Sequence, residues 1–272
     1  MWFEIFKFEI QYRAKRADTY LYFGILFLFS IIASEFIMNG SGTIGKVKIN
    51  APYVIASVMG IVTALFTMVI SMIMGVAALR DFDHKMESLM FINPIKKRDY
   101  LLGRFLGSYL VLVFIFSGLL FGMLLGDLVP WPWRDMNELL PFHFWPYLKP
   151  FLFLVLPNLF FCGAIFFISG ALSRKLMVVY TQGILLLMGY IFTMQLTRNA
   201  DNQFVAAIFD PFTFQATKII TQLWTPVEIN SQMLPMGGIL LYNRLIWIAL
   251  GVVVLVIGNY GFSFNVIRKN SF

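Results

Sequence analysis

The glycine-rich segment from Gly40 to Val47 is the part of the sequence that most resembles a phosphate-binding motif. Its residue order, Gly40-Ser-Gly-Thr-Ile-Gly45-Lys46, matches a nucleotide-binding loop up to the last position, where a Ser or Thr hydroxyl would bind magnesium. Val47 has no hydroxyl, and the preceding element is a long apolar run, whereas a working loop follows a buried strand. We therefore interpret the segment as a flexible turn and not as an ATP site.

The other residue types that carry catalysis are sparse. The sequence has two histidines, His84 and His143, and a single cysteine, Cys162. A long apolar run separates the histidines, so they predict no shared metal site within one chain. No spacing indicates paired catalytic carboxylates or a nucleophile with an orienting base. The sequence predicts no catalytic site, no metal and no cofactor, and therefore no enzyme activity of this chain.

Residues 80–104 form a charged segment between two apolar runs and contain one short amphipathic helix pattern. Asp83 is placed to cap this helix. Pro94 ends it, because the residue before a proline disfavours helix. A helix this short is marginal in water and needs a surface, either the membrane or a groove on a partner. Glu87 lies on a polar side, away from an apolar stripe of Phe82, Met86, Leu89 and Met90.

The composition indicates an all-α polytopic membrane protein. The chain has 272 residues, of which 59% are hydrophobic and 13% charged, and its mean hydropathy is +0.78. A spanning helix needs about 20 mainly apolar residues, and none of the segments that qualify carries a charge in its interior. We predict a single domain, residues 1–272, with six spans at about 19–38, 52–79, 104–126, 148–172, 176–195 and 243–264.

The distribution of charge predicts that both termini lie in the cytoplasm. With the N-terminus inside, the inner segments hold 14 of the 21 Lys and Arg residues, while the 14 acidic residues divide equally between the two sides. Lys and Arg favour the cytoplasmic side, so the net charge indicates topology and we predict no nucleic-acid partner. Aromatic and basic residues alternate in residues 1–18, which predicts an interfacial helix on the bilayer; the alternative is a basic tail that only sets topology.

Four polar residues within the predicted spans are candidate pathway or helix-contact positions. Thr63, Thr67 and Ser71 recur at intervals of four in the second span, so they share one helix face. They favour a helix–helix contact, and the alternative is a polar lining of a substrate path. In the fourth span Pro157 predicts a kink, and Asn158 either binds the carbonyl freed there or faces a cavity.

Two further features predict how the chain packs. Residues 196–242 contain two short apolar helical pieces, with breaks at Asp210-Pro211 and Thr225-Pro226. These pieces are too short to cross a membrane, and we expect them at its outer face. In the third span, small residues recur at intervals of four in two groups, Gly103 and Gly107 and then Gly118, Gly122 and Gly126, and they favour close helix contacts.

The charged segment resembles the inner loop of type-2 ABC exporter permeases, whose usual form runs Arg-Glu, Glu-x-Leu-Leu, Thr-Pro-Ile and then Gly-Lys. Asn93 stands where the family often has Thr. The six-span plan and the N-terminal helix are also similar, so the resemblance covers essentially the whole chain. The matching residues are Leu79-Arg80-Asp81-Phe82, Met86-Glu87-x-Leu89-Met90, Asn93-Pro94-Ile95 and Tyr100-Leu101-x-Gly103-Arg104.

The resemblance implies a permease that forms a homodimer, or pairs with a second permease subunit, and binds separate ABC ATPase subunits. The second and fifth spans would line the path, and residues 196–242 would form short outer helices before the sixth span. The segment between the second and third spans would be a cytoplasmic coupling helix seated on the ATPase, with Phe82, Asp83, Met86, Glu87, Leu89, Met90 and Pro94 as its coupling residues.

Two other stretches are similar to a bacterial subgroup in which a permease unit precedes further spans and a zinc aminopeptidase domain. They are Glu4-Ile5-Phe6-Lys7-Phe8-Glu9 and Asn243-Arg244-Leu245-Ile246-Trp247. The leading hypothesis is therefore a multi-pass exporter permease of a bacterial cytoplasmic membrane, driven by a partner ATPase. The alternative is a non-transporting scaffold or anchor of a motility or envelope complex. A secondary transporter ranks third, because the predicted spans lack the Asp, Glu or His that ion coupling uses.

Overall fold

Every long apolar run in the described part of the chain forms helix, and prolines or short polar stretches separate the helices. A computed structural model describes residues 1–41, 47–83, 95–132, 136–196 and 203–263. Within these ranges the regular elements are all helical. In chain order they are α1 (Trp2–Ala14), α2 (Ala17–Ser41), α3 (Pro52–Leu65), α4 (Thr67–Asp83), α5 (Lys97–Leu128), a 3-10 turn (Met136–Glu138), α6 (Trp145–Ser173), α7 (Leu176–Leu196), α8 (Gln203–Phe209), α9 (Phe214–Thr221), α10 (Pro226–Ser231) and α11 (Gly238–Gly261).

Three of these helices, α5, α6 and α11, are long and apolar enough to cross a membrane. Two bent pairs, α1 with α2 and α3 with α4, pass the same test when each pair counts as one span, which raises the number to five. The apolar part of α7, Leu176–Ile191, is shorter. The prediction of a helical, membrane-embedded chain is thus confirmed for the described residues. The six-span arrangement and its orientation stay predictions.

The chain turns by 70° between α1 and α2, at residues 15–16. The Thr19 hydroxyl donates to the Arg13 carbonyl at 2.9 Å and so satisfies one of the carbonyls left over at the end of α1. A separate N-terminal helix is what the sequence predicted for residues 1–18, and its position on the bilayer stays a prediction. We call this side of the bundle, where α4 also ends and α5 begins, the elbow end.

The second predicted span is broken, because α3 and α4 meet at Phe66 with a bend of 51°. Hydroxyl groups near the break bond to their own helix. Thr63 Oγ1 donates to the Met59 carbonyl at 2.6 Å, and Thr67 Oγ1 donates to the Thr63 carbonyl at 3.4 Å. Such bonds to the carbonyl four residues earlier often bend helices. They give a physical reason for a bend that the apolar run alone did not predict.

α5 is the helix against which the N-terminal part of the chain packs. A Cβ on Gly103 would lie 2.5 Å from the Trp2 carbonyl oxygen, and one on Gly122 would lie 2.4 Å from the Phe27 carbonyl oxygen. Only residues without a Cβ allow backbones to approach this closely. The predicted close contacts are therefore confirmed at four of these glycines. α1 packs against Gly103 and Gly107, and α2 packs against Gly118 and Gly122.

Replacing Gly122 with Ala is expected to lower the free energy of unfolding by about 1–3 kcal/mol, because the new methyl group overpacks against backbone that cannot rotate away. Gly24 is the matched control, since a Cβ at this position of α2 meets nothing within 4 Å. Gly24→Ala should leave stability unchanged or raise it by up to about 1 kcal/mol. Thermal unfolding of both variants in detergent measures the difference, and equal midpoints would contradict the close α2–α5 contact.

At the end of the bundle opposite the elbow, the short pieces predicted between residues 196 and 242 are confirmed as α8 and α9. The chain breaks after Phe209 and again before Pro226, as the prolines predicted. α10 adds a further short helix, whose Thr225 side chain and Glu228 side chain cap each other's backbone N–H groups. α8 and α9 pack on each other and on α11.

Candidate functional site

A carboxylate buried at the elbow end binds three arginines. Glu9 of α1 is fully buried. Its Oε1 accepts from Arg13 Nε, and its Oε2 accepts from Arg80 Nη2 and from Arg104 Nη1, each at 2.8 Å. The Ser108 hydroxyl lies 3.4 Å from Oε1. We call these five residues the Glu9 cluster.

Aromatic rings hold two of these arginines from a second side. The Arg80 guanidinium lies 4.1 Å from the centre of the Tyr12 ring, and that of Arg104 lies 5.6 Å from the centre of the Tyr100 ring. Cation–π contacts gain strength when water is excluded, and both arginine side chains are buried. The positions of the guanidinium groups are therefore fixed by two kinds of contact.

The Glu9 cluster joins three helices that are distant in sequence. Arg80 lies near the end of α4 and Arg104 near the start of α5, so both ends of the connecting segment 81–103 are bound to one carboxylate of α1. Removing one partner from a buried ion pair typically costs about 3–5 kcal/mol. The Glu9 carboxylate therefore fixes Arg80 of α4 and Arg104 of α5 relative to α1.

The predicted coupling residues fall mainly in this connecting segment. Phe82 and Asp83 are the last two residues of α4, so their backbone is helical and continues the second predicted span. An N-cap has a non-helical backbone, which differs from the cap predicted at Asp83. The coupling helix itself stays a prediction, because its other residues lie outside the described part of the chain: Met86, Glu87, Leu89, Met90 and Pro94.

The candidate pathway residues of the second span are all fully buried within one chain. The hydroxyls of Thr63 and Thr67 bond to their own helix, and the Ser71 hydroxyl donates to the Met68 carbonyl at 2.7 Å. A Cβ on Gly183 of α7 would lie 3.3 Å from Ser71 Oγ, so this hydroxyl faces a close helix contact. Helix packing accounts for these positions, and a role in lining a path stays a prediction.

Asn158 contacts Arg244, which sequence reasoning did not foresee. Arg244 Nη1 donates to Asn158 Oδ1 at 2.7 Å, and Arg244 Nη2 donates to the Pro211 carbonyl at 2.8 Å. The Leu154 carbonyl, which belongs to a π-helical turn over Phe151–Val155, lies 3.4 Å from Arg244 Nη1. Arg244 therefore binds both the Asn158 side chain and a carbonyl of the preceding turn. The two alternatives for Asn158, a bond to the carbonyl freed by Pro157 or a position facing a cavity, stay predictions.

Asn243, the neighbour of Arg244, fastens α8 to α11. Its Nδ2 lies 2.6 Å from the Ala207 carbonyl, 3.0 Å from the Ile208 carbonyl and 2.9 Å from the Asp210 carbonyl. These carbonyls are at the end of α8, where a helix leaves its last acceptors without partners. We call the residues Asn158, Asn243 and Arg244 the Arg244 cluster.

The turn between α8 and α9 is organised by Asp210, whose side chain is buried. Its carboxylate accepts from the backbone N–H groups of Phe212 and Gln215, both at 2.8 Å. Burial raises the pKa of Asp210, and these N–H groups and the nearby charge of Arg244 oppose the rise. The two clusters thus hold the opposite ends of the bundle, one at the elbow and one at the short helices.

Sequence reasoning missed both clusters, although each left a signal. Glu9 and Arg13 are four residues apart, which places them on one helix face. Arg80 and Arg104 each lie next to an apolar run, where a cation needs a partner. The same holds for Arg244. Cations at span ends are also what membrane topology requires, so their position alone does not indicate that they pair with a distant carboxylate.

The described residues show no group of three or more His, Cys, Asp or Glu side chains placed to hold a metal ion. No protein-family profile matches the chain, and no curated protein matches its sequence.

Proposed function

We propose that this chain is the transmembrane permease subunit of an ATP-driven ABC exporter. In this proposal it moves an unidentified substrate across the bacterial cytoplasmic membrane. A separate ABC ATPase subunit hydrolyses ATP, and the permease works as a homodimer or with a second permease subunit. The excess of Lys and Arg on one side of the predicted spans supports cytoplasmic termini. The resemblance of residues 79–104 to exporter permeases supports the class of transporter.

The observation that carries the proposal is the attachment of both ends of segment 81–103 to α1 through Glu9. A loop that only connects two spans has no need of a buried ionic anchor at each end. A loop that receives a mechanical input does need one, because the input is otherwise absorbed by bending of the loop ends. The Glu9 cluster supplies that stiffness at the residues where α4 ends and α5 begins.

The route from the ATPase to the spans follows from the packing. Movement of the coupling helix displaces Arg80 and Arg104, and with them α4 and α5. α4 contacts α5, α6 and α7, so it passes the displacement to most of the bundle. The bend at Phe66 separates α4 from α3 and provides a point where the two halves of the second span change their angle. Access to the two sides of the membrane alternates in this way.

The proposal predicts that an Asp in the apolar stripe of the coupling helix uncouples the partner. Met86→Asp or Leu89→Asp places a charge where the stripe meets an apolar groove, and burying an unpaired charge is costly. We expect the variants to insert normally but to lose copurification of an ATPase and stimulated ATP turnover. Affinity purification from the native host, followed by an ATPase assay, measures both quantities.

Ser88→Asp is the matched control, since it adds the same charge on the polar side of the predicted helix. It should copurify the ATPase as the wild type does. If wild-type protein brings down no ATPase, or if Met86→Asp keeps full ATP turnover, the exporter proposal fails. The first of these results would favour the membrane scaffold.

A further inference from the structure

A cavity in the inner corner of the elbow has the chemistry of an anion site. It has a volume of about 90 Å³ and lies between α1, α2, α4 and α5. Three arginines line it, Arg13, Arg16 and Arg80, together with Thr19. Asp18, an acidic residue among the described lining residues, pairs with Arg16 at 2.5 Å. Glu9, which does not line the cavity, accepts from Arg13 and Arg80. Two carboxylates thus meet three arginines, which leaves an excess of positive charge at the cavity.

The floor of the same cavity is apolar. Met72, Ile73 and Val76 of α4 and Ile115 of α5 form it. Met72 and Val76 are each 37% exposed, so the apolar floor of the cavity is accessible from the outer surface of the helix bundle. The cavity therefore offers cations at one side and hydrocarbon at the other, which is the arrangement that an amphiphile with an anionic head requires.

We propose that this cavity binds a phosphate group, with the headgroup of an anionic phospholipid as the source that the apolar floor favours. Arginine binds phosphate oxygens through two parallel N–H bonds, more tightly than neutral donors do. At about 10–15 Å³ for each water-sized group, the volume accommodates the five heavy atoms of a phosphate. With α1 predicted as a surface helix and α2 as a span, the cavity at the 70° turn between them would lie at the level of the headgroups.

The inference is independent of the exporter proposal, because it rests on the walls of one cavity and not on a partner ATPase. An anionic lipid in the corner between α1 and α4 would stabilise the elbow beside the Glu9 cluster. Arg13 belongs to both the cavity and that cluster. The ligand would thus bind next to the residues that hold the ends of segment 81–103, and it would favour the packed position of α1.

The test is a titration of delipidated protein in detergent with phosphatidylglycerol, followed by native mass spectrometry. Arg16→Gln is expected to weaken binding about fivefold, the effect of one cation near an anionic headgroup. Val76→Trp keeps every charge but fills the cavity, and it should weaken binding at least as much. Lys15→Gln is the control, since this exposed neighbour carries the same charge but does not line the cavity; its binding should equal that of the wild type.

Phosphatidylcholine and inorganic phosphate complete the experiment. Phosphatidylcholine should bind at least about fivefold more weakly than phosphatidylglycerol, because its choline group meets the arginines. Displacement of phosphatidylglycerol by millimolar inorganic phosphate would assign the site to free phosphate, and resistance to displacement would assign it to lipid. The proposal is overturned if Arg16→Gln and Val76→Trp bind as the wild type does. It is equally overturned if Lys15→Gln weakens binding as much as Arg16→Gln.

Discussion

Replacing Glu9 with Gln is expected to lower the free energy of unfolding by about 3–5 kcal/mol, the typical cost of removing one partner from a buried ion pair. Gln has nearly the same shape, so packing against Gly107 of α5 is retained. The expected loss of stability is electrostatic, because the substitution leaves three buried cations around a neutral amide: Arg13, Arg80 and Arg104. Thermal unfolding in detergent, followed by circular dichroism, measures the change.

The matched control for this variant is Glu4→Gln, which makes the same chemical change at an exposed position of α1. Its unfolding midpoint should stay within the error of the wild-type value, because an exposed charge contributes little. A double-mutant cycle with Arg104→Gln then measures the coupling energy between the two residues. Equal stability of Glu9→Gln and Glu4→Gln would contradict the ionic anchor at the elbow end.

Arg244→Leu is expected to have a comparable effect at the opposite end of the bundle. The substitution leaves the buried oxygens of Asn158, Pro211 and Asn243 without the donor they share. Each buried polar group that loses its hydrogen bond costs about 1–3 kcal/mol. We therefore expect a large fall in the unfolding midpoint and faster proteolytic cleavage between α8 and α9. Limited proteolysis of detergent-purified protein checks the second point.

Two further variants separate the role of Arg244 from the loss of a charge in general. Lys218→Gln removes an exposed cation from α9 and should change neither the midpoint nor the cleavage rate. Arg244→Lys keeps the charge but lacks the planar fork that reaches several acceptors, so it should restore little of the lost stability. Full restoration by Lys would show that charge alone matters, against the geometry of the Arg244 cluster.

The positions of the helices could be predicted from the sequence because apolar runs and prolines act locally. Helix covers the predicted spans within the described residues, apart from Phe66 and residues 262–263, and the breaks between the short helices occur at Pro211 and before Pro226. The close approach of α1 and α2 to α5 was also predictable as a tendency, since glycines at intervals of four favour it. That spacing did not show which helix would pack against each glycine.

The sites were harder to predict because their members come together only in three dimensions. Glu9 is separated from Arg104 by 95 residues, and no local pattern connects them. The bend at Phe66 was not predicted because its cause is local. It involves the hydrogen bonds of two hydroxyls, Thr63 and Thr67, and the mean hydropathy of the segment does not reveal them. Asn158 is unusual within an apolar span, but its partner Arg244 is indistinguishable in the sequence from an ordinary cation at a span end.

The composition of the Glu9 cluster also sets an order of events during synthesis. Glu9 is synthesised before its distant partners, and Arg13 is the member of the cluster that lies in the same helix. Arg80 and Arg104 follow 71 and 95 residues later. Until Arg104 leaves the ribosome, burial of the carboxylate would lack one of its three cations, which is costly. We therefore expect α1 to remain undocked from α5 through most of the translation of the first three predicted spans. Its docking onto α5 is a late step, and a nascent chain truncated before residue 104 cannot complete it.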